Sequence, residues 1–319
     1  MHLSFEIRII DAMSQWVWIV IALLCIAIVF FLIVMYIDDH RFVIREYDVH
    51  TSRVSHPLTF VFMSDLHSKD HGDGNRKVLE SVDSIRPDAV LIGGDMIISS
   101  KAKRSEDGWM QVSLNITEAL ASKYPVYLSN GNHEDVLHEE EIFRPLYDRY
   151  MEEMEKRGAI PLHNTSEVFH GVRIYGLELP HSSYGKVFPV HVGVEDVEAC
   201  IGTCCEDSGD PEFKVVLAHN PKFFPAYAQW GADLVLSGHV HGGLMKIGKL
   251  GFIAPDLHLF PKYCAGKYTL PKGNKEMSSK TDLSTLIVSC GLGEHTLPIR
   301  IFNPAELSVV RLTPGKSDS

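Results

Sequence analysis

The apolar residues of this chain fall into distinct patterns, and each predicts a different kind of element. Residues 16–37, WVWIVIALLCIAIVFFLIVMYI, carry no charge. A helix of about 20 such residues crosses the hydrocarbon core of a bilayer. A cleaved signal peptide would have a shorter apolar stretch ending in small residues, whereas this run ends in YIDDHRF. We read 16–37 as an uncleaved single-pass transmembrane anchor with Trp16, Trp18 and Tyr36 at its interfaces. A tail over 1–15 precedes it and a linker over 38–55 follows. Arg8 is the only Lys or Arg before the span, while Arg41, Arg45 and Arg53 follow it. That bias favours a cytoplasmic catalytic domain.

Beyond the linker, short apolar runs alternate with helical spacing. LTFVFMSD (58–65), DAVLIGGD (88–95) and YPVYLSNGN (124–132) read as buried strands. Between them, Val78, Leu79, Val82 and Ile85 recur at helical spacing until Pro87 stops the pattern, and 106–121 also suits a helix. A charged helix is expected from about 134 to 157, ended by Gly158. IPLHN and SEVFHGVRIYGLEL then look like neighbouring strands of a second sheet. FKVVLAHNP (213–221), ADLVLSGHV (232–240), LSTLIVSCGLG and AELSVVRL add further strands. One domain over about 56–314, an α/β sandwich of two face-to-face sheets with helices outside, is the simplest architecture.

Composition narrows the function. The formal net charge of −11 argues against a broad nucleic-acid footprint, so no nucleic-acid partner is expected. Five of the six cysteines lie outside the apolar span, an odd number that makes a poor disulfide framework. Cys200, Cys204 and Cys205 have no matching second pair for a zinc corner and read as ordinary thiols. The 17 histidines are the unusual feature, because imidazole both ligates metals and carries protons near neutral pH.

Several of these histidines occur where strands end. The first strand runs into Asp65-Leu66-His67, the second into Gly94-Asp95, and the third into Gly131-Asn132-His133-Glu134. Later strands end at His219 and at Gly238-His239-Val240-His241. Ligands of open α/β sheets bind beyond the carboxyl ends of the strands. Asp65, His67, Asp95, Asn132, His219, His239 and His241 supply oxygen and nitrogen donors suited to manganese, zinc or iron. They are too many for one tetrahedral ion, and a carboxylate can bridge two. Two divalent metal ions about 4 Å apart would clamp an in-line displacement at phosphorus and provide hydroxide at neutral pH. Residues i and i+2 of an extended segment share a side, which would bring His239 with His241, and Asp65 with His67, into one cleft.

Any one of these motifs occurs by chance. In this order and combination the chain resembles the calcineurin-like metallophosphoesterase superfamily over Asp65 to His241. The tail SCGLGEHTLPIRIFNPAELSVVRL and the pair AHNP and SGHVHGG are similar to a membrane-associated bacterial phosphodiesterase branch. Some members of that branch cleave UDP-2,3-diacylglucosamine. The resemblance implies a four-layer α/β/β/α sandwich. It implies a first metal on Asp65, His67 and His241, a second on Asn132, His219 and His239, and Asp95 bridging both. His133 would be catalytic with Asp95, by hydrogen-bonding the scissile phosphate or protonating the leaving oxygen. The expected activity is hydrolysis of phosphodiester or diphosphate bonds through a metal-bound hydroxide, with a nucleotide-diphosphate lipid or a simpler diester as substrate. A phosphomonoesterase on the same centre and a non-catalytic membrane-tethered receptor are the competing readings.

Two regions bear on specificity. Residues 245–283 carry Lys246, Lys249, Lys262, Lys267, Lys272, Lys275 and Lys280. Some of these would attract substrate phosphates, with a solvated loop as the alternative. The same stretch holds FIAP and LHLFPKY, which would either dip into lipid beside the anchor or pack on their own domain. Residues 181–212 suggest no role. Asp135 and Glu134 would either orient His133 or start the following helix.

Overall fold

A computed structural model describes residues 2–104, 108–185, 190–204, 212–248, 250–253, 259–273, 282–294 and 299–315. The apolar run lies in one helix, α1, His2–Asp39. Its segment Gln15–Asp39 has a hydropathy of 3.4 over an apolar window that is not buried in the protein, and is long and apolar enough to cross a membrane.

Two six-stranded sheets follow. The first has the order Phe42–Thr51, Ala305–Pro314, Leu58–Met63, Ala89–Ile92, Val126–Leu128, Ala159–Pro161. Its pairs are parallel except for Ala305–Pro314 against Leu58–Met63. The second has the order Gly266–Pro271, Leu283–Val288, Leu234–Ser237, Phe213–Ala218, Val172–Leu177, Ser166–Phe169, parallel inside and antiparallel at both edges.

Period-two alternation explains why the inner strands read as unbroken apolar runs. Phe60 and Phe62 point into the core between the sheets, whereas Val61 and Met63 point to the helices covering the first sheet. In the second sheet Val215 and Leu217 face inward, while Val216 and Ala218 meet the helices Val194–Ile201 and Phe224–Trp230. A strand buried on both faces has no place for polar alternation. Burying one Phe or Leu side chain is worth about 1.5–3 kcal/mol. The result is the expected four-layer α/β/β/α sandwich.

Three expectations need correction. Residues 38–55 are no linker: Phe42–Thr51 is an edge strand parallel to Ala305–Pro314, so the folded domain starts near residue 42 and not 56. Its alternation, FVIREYDVHT, is that of a half-exposed strand, and its partner lies at the other end of the chain. Ala159–Pro161, which overlaps the start of IPLHN, closes the first sheet, and only Ser166–Phe169 and Val172–Leu177 enter the second. The charged helix over 134–157 is two helices, Asn132–Glu139 and Arg144–Lys156. Pro145 lies in the first turn of the second helix, where its missing N–H costs nothing. The helix expected over 106–121 is described over Gln111–Ala121, and 105–107 lie outside the described residues.

Candidate metal centre

All the inner strands that end in polar motifs finish at one edge of the sandwich. Asp65 follows Leu58–Met63, Asp95 follows Ala89–Ile92, His219 follows Phe213–Ala218, and His239 follows Leu234–Ser237. Asn132 and His133 open the helix Asn132–Glu139. Three groups of donor atoms lie within 4.8 Å of one another: Asp65, His67 and His241; His67, Asp95 and His133; Asp95, His219 and His239. Asp95 belongs to two groups and stands between the others. Six of the seven donors named from the sequence come together in these groups, and Asn132 precedes His133, whose N–H donates to Asp95 Oδ1 at 2.8 Å.

The route to this convergence differs from the extended i, i+2 geometry expected. Asp65, His67, Asp95, His239 and His241 all have φ between 49° and 68°. Left-handed backbone is uncommon for residues with a Cβ and costs about 1–3 kcal/mol each. Interlocking loops hold it: Asp65 N–H donates to Gly94 O at 2.9 Å, His67 N–H to Asp95 O at 3.0 Å, and His239 N–H to Asp65 Oδ1 at 2.9 Å. The packing is tight. A Cβ on Gly94, at φ +88°, would collide with the Gly131 backbone, and one on Gly238 would strike Asp65 Oδ2 and Ser64 Oγ.

Donor chemistry tests the fit to cations. The His219 ring lies with Nδ1 2.7 Å from Gly93 O, a carbonyl that can only accept, so Nδ1 carries a proton. In the neutral ring Nε2 then turns a lone pair toward Asp95 Oδ2 at 3.1 Å. Two lone pairs at that distance require a positive charge. Without one from a cation, the ring must supply it: burial lowers His219, but Asp95 and Asp65 outweigh burial and raise it to about 10. His67 Nε2 faces His241 Nε2 at 3.1 Å, with the rings stacked, so two ring nitrogens of the first donor group turn to one point. Asn132 Oδ1 is buried with no hydrogen-bond partner. Burial works to raise Asp95, but His219 and His133 hold it well below the usual carboxylate range. These residues fit metal ions.

Three supporting residues have roles that the sequence did not show. Ser99, four residues beyond Asp95, donates its N–H to His133 Nδ1 at 3.1 Å and places Oγ 2.8 Å from it. Nδ1 is thereby an acceptor, and the neutral ring carries its proton on Nε2. Glu134, seen beforehand as orienting His133 or starting a helix, does something else. Its buried carboxylate accepts N–H bonds from Asp95, Met96, Ile97 and Gly131 at 2.8–3.3 Å. It clamps the Asp95 loop to the Asn132 loop. Tyr184 adds a wall, its ring 5.1 Å from that of His239, which gives part of 181–212 a place at the site.

Three of the loop lysines offered as phosphate-attracting groups are engaged elsewhere. Lys246 is buried, with Nζ 2.9 Å from Cys290 Sγ. Lys272 is buried against Asp233 at 2.6 Å, and Lys267 reaches Asp48 O. Lys249, Lys275 and Lys280 lie outside the described residues.

Paired sheets carrying nitrogen and oxygen donors at their shared edge define a metal-dependent hydrolase of phosphoesters. A family model for the calcineurin-like phosphoesterases matches residues 58–243, and the chain belongs to that family. Among its relatives is YpbG of Bacillus subtilis, an uncharacterized protein 23% identical over 261 residues, covering 80% of this chain and 81% of YpbG. The putative metallophosphoesterase F40B5.2 of Caenorhabditis elegans is 24% identical, covering 80% of this chain and 48% of that protein. An uncharacterized metallophosphoesterase of Helicobacter pylori strain 26695 is 23% identical, covering 85% and 64%. The chain thus spans about half and about two thirds of the last two. A dimetal phosphatase from Danio rerio aligns with a TM-score of 0.39 and 13% identity, over 76% of this chain and 89% of that one.

Proposed function

We propose that the pocket holds two divalent metal ions and hydrolyses phosphodiester or diphosphate bonds. Asp65, His67 and His241 would hold the first ion, Asn132, His219 and His239 the second, with Asp95 shared. The observation that carries this reading is the run of three overlapping donor groups, in which Asp65, His67 and His241 are joined through His67 and Asp95 to His219 and His239. When bound, such ions polarise a phosphoryl oxygen and lower the pKa of water.

The protein's own contribution lies in orientation and charge. Asp95 is fixed on both sides: its N–H is held by Glu134, and its Oδ1 accepts the His133 N–H at 2.8 Å. His133, with its proton on Nε2, is set to donate a hydrogen bond to a phosphoryl oxygen as negative charge builds there. Delivery of a proton to the leaving oxygen would start from an imidazolium whose Nδ1–H turns to Ser99 Oγ, 2.8 Å away, and gives up the bond from the Ser99 N–H. That lost bond favours the hydrogen-bonding role.

The substrate we favour is a lipid-linked nucleotide diphosphate such as UDP-2,3-diacylglucosamine, or a simpler diester; a phosphomonoester is the alternative. The test is the full-length protein supplied with manganese, assayed on a model diester, a model monoester and UDP-2,3-diacylglucosamine. His133→Ala should retain metal and lose most turnover, and Asp95→Ala should lose both. A protein that binds manganese at full stoichiometry and cleaves none of the three substrates is a binder, and the proposal fails.

A further inference from the structure

One flank of the pocket is built from the end of α1. Asp38 is buried and its Oδ2 accepts the Asn303 N–H at 2.9 Å. Asn303 Nδ2 in turn donates to His241 O at 2.7 Å and to Gly243 O at 2.6 Å. Lys69, two residues past His67, donates to Asp39 O at 2.7 Å and pairs with Glu294. Two ligand-bearing loops are thus tied directly to the last turn of the apolar helix.

The residue before Asn303 faces the other way. The Phe302 ring lies 6.3 Å from both Phe30 and Phe31 of α1. Phe31 is eight residues from Asp39, about 12 Å along the helix axis. In a span of this length that is hydrocarbon depth. Phe302 has φ 54° and remains 43% exposed. A bulky side chain in left-handed backbone, held out beside an apolar helix and not folded into the core, needs a reason.

The surface continues from there. Ile301 pairs with Leu244 and Lys246, and that strand pairs with Leu250–Gly251 and the segment after it. Ile247, Leu250, Leu259 and Phe260 on this small sheet are all more than half exposed. This small sheet is joined to the residue beside Phe302 through the backbone pairing of Ile301 with Leu244 and Lys246, and Leu244 adjoins Gly243 of the His241 loop.

We propose that this face lies in the bilayer leaflet that α1 enters, and that the metal pocket draws its substrate from that leaflet: a phosphoester whose acyl or isoprenyl chain stays in the membrane. The occupant is lipid because Phe302 lies beside Phe30 and Phe31 of a helix of bilayer length, and the small sheet with its exposed apolar residues pairs with the adjoining Ile301. This rests on the phosphoesterase reading of the pocket and on α1 spanning the membrane. Of the two outcomes foreseen for FIAP and LHLFPKY, it selects the lipid contact for Leu259 and Phe260.

The test uses the full-length protein in phosphatidylcholine vesicles with manganese. Two substrates share one reacting centre: hexadecyl p-nitrophenyl phosphate in the vesicle and methyl p-nitrophenyl phosphate in solution. The parent should prefer the hexadecyl ester in kcat/KM by at least about tenfold, the scale set by burying apolar side chains. Phe302→Ser should reduce that preference about fivefold or more while leaving methyl ester hydrolysis unchanged. Phe302→Trp should add fluorescence that dibrominated phosphatidylcholine quenches beyond the parent's own signal. Equal loss on both esters, no loss on either, or no added quenching overturns the proposal. Concentration-dependent dimers that shield the introduced indole from the quencher would assign the face to a protein partner and overturn it too. A parent inactive on both esters sinks the phosphoesterase reading instead.

Discussion

Replacing Glu134 with Gln tests whether one buried carboxylate organises the centre without touching a metal. Glu134 Oε2 accepts N–H bonds from Asp95 and Gly131, and Oε1 accepts from Met96 and Ile97. Gln retains one oxygen and puts an NH₂ in place of the other. Two of the four backbone donors then face a donor. Each buried donor left without its partner costs about 1–3 kcal/mol, so the variant should lose about 2–6 kcal/mol. That is a large part of the roughly 5–15 kcal/mol that holds a domain folded. Burial and the neighbouring Asp95 push Glu134 up to about 7, so the comparison belongs at pH 8, where the carboxylate is ionised. The assay is denaturant unfolding in detergent followed by near-UV circular dichroism, with manganese affinity measured in parallel. The exposed Glu141→Gln serves as control. Affinity should fall about tenfold or more, as it does when support for a metal ligand is removed. Unfolding within about 0.5 kcal/mol of the parent, with unchanged affinity, would refute the clamp.

Ser99→Pro removes the N–H that fixes the His133 tautomer, at the first position of the helix Ser99–Lys103, where proline is well tolerated. Its kcat on a diester should fall about tenfold or more with metal content unchanged, while Ser99→Ala, which keeps the N–H, should retain most activity. Gly238→Ala drives a methyl into Asp65 and Ser64 and should cost about 1–3 kcal/mol, seen as a lower Tm with weakened metal retention. An unchanged Tm would mean that the loop yields freely. Chelation should also lower the Tm: with metal at about 100 times its Kd the linked stabilisation is about 2.7 kcal/mol, and a melt indifferent to chelator would argue against tight sites.

The chain by itself determined the pieces that depend on local pattern. An uncharged run of bilayer length must be helical wherever it resides in lipid, because no other single segment satisfies its own backbone there. Apolar tetrads and hexads bounded by glycine and aspartate marked the inner strands, since strands buried on both faces leave no polar alternation. The donors stood at strand ends, and strand ends in such sheets face a common cleft. Sequence pattern could not supply partners that lie far away along the chain. Phe42–Thr51 reads as a linker until Ala305–Pro314 lies beside it, and IPLHN has no mark of the sheet it joins. Lys246 looks like a rim lysine until the fold turns it onto Cys290. Ser99 and Asn303 are ordinary loop residues in one dimension. They acquire roles only because tertiary packing sets one against His133 and ties the other to Asp38 and the His241 loop. Local propensity encodes the elements and the chemistry at their ends, whereas left-handed backbone at the ligands and contacts across hundreds of residues are imposed by packing the whole chain at once.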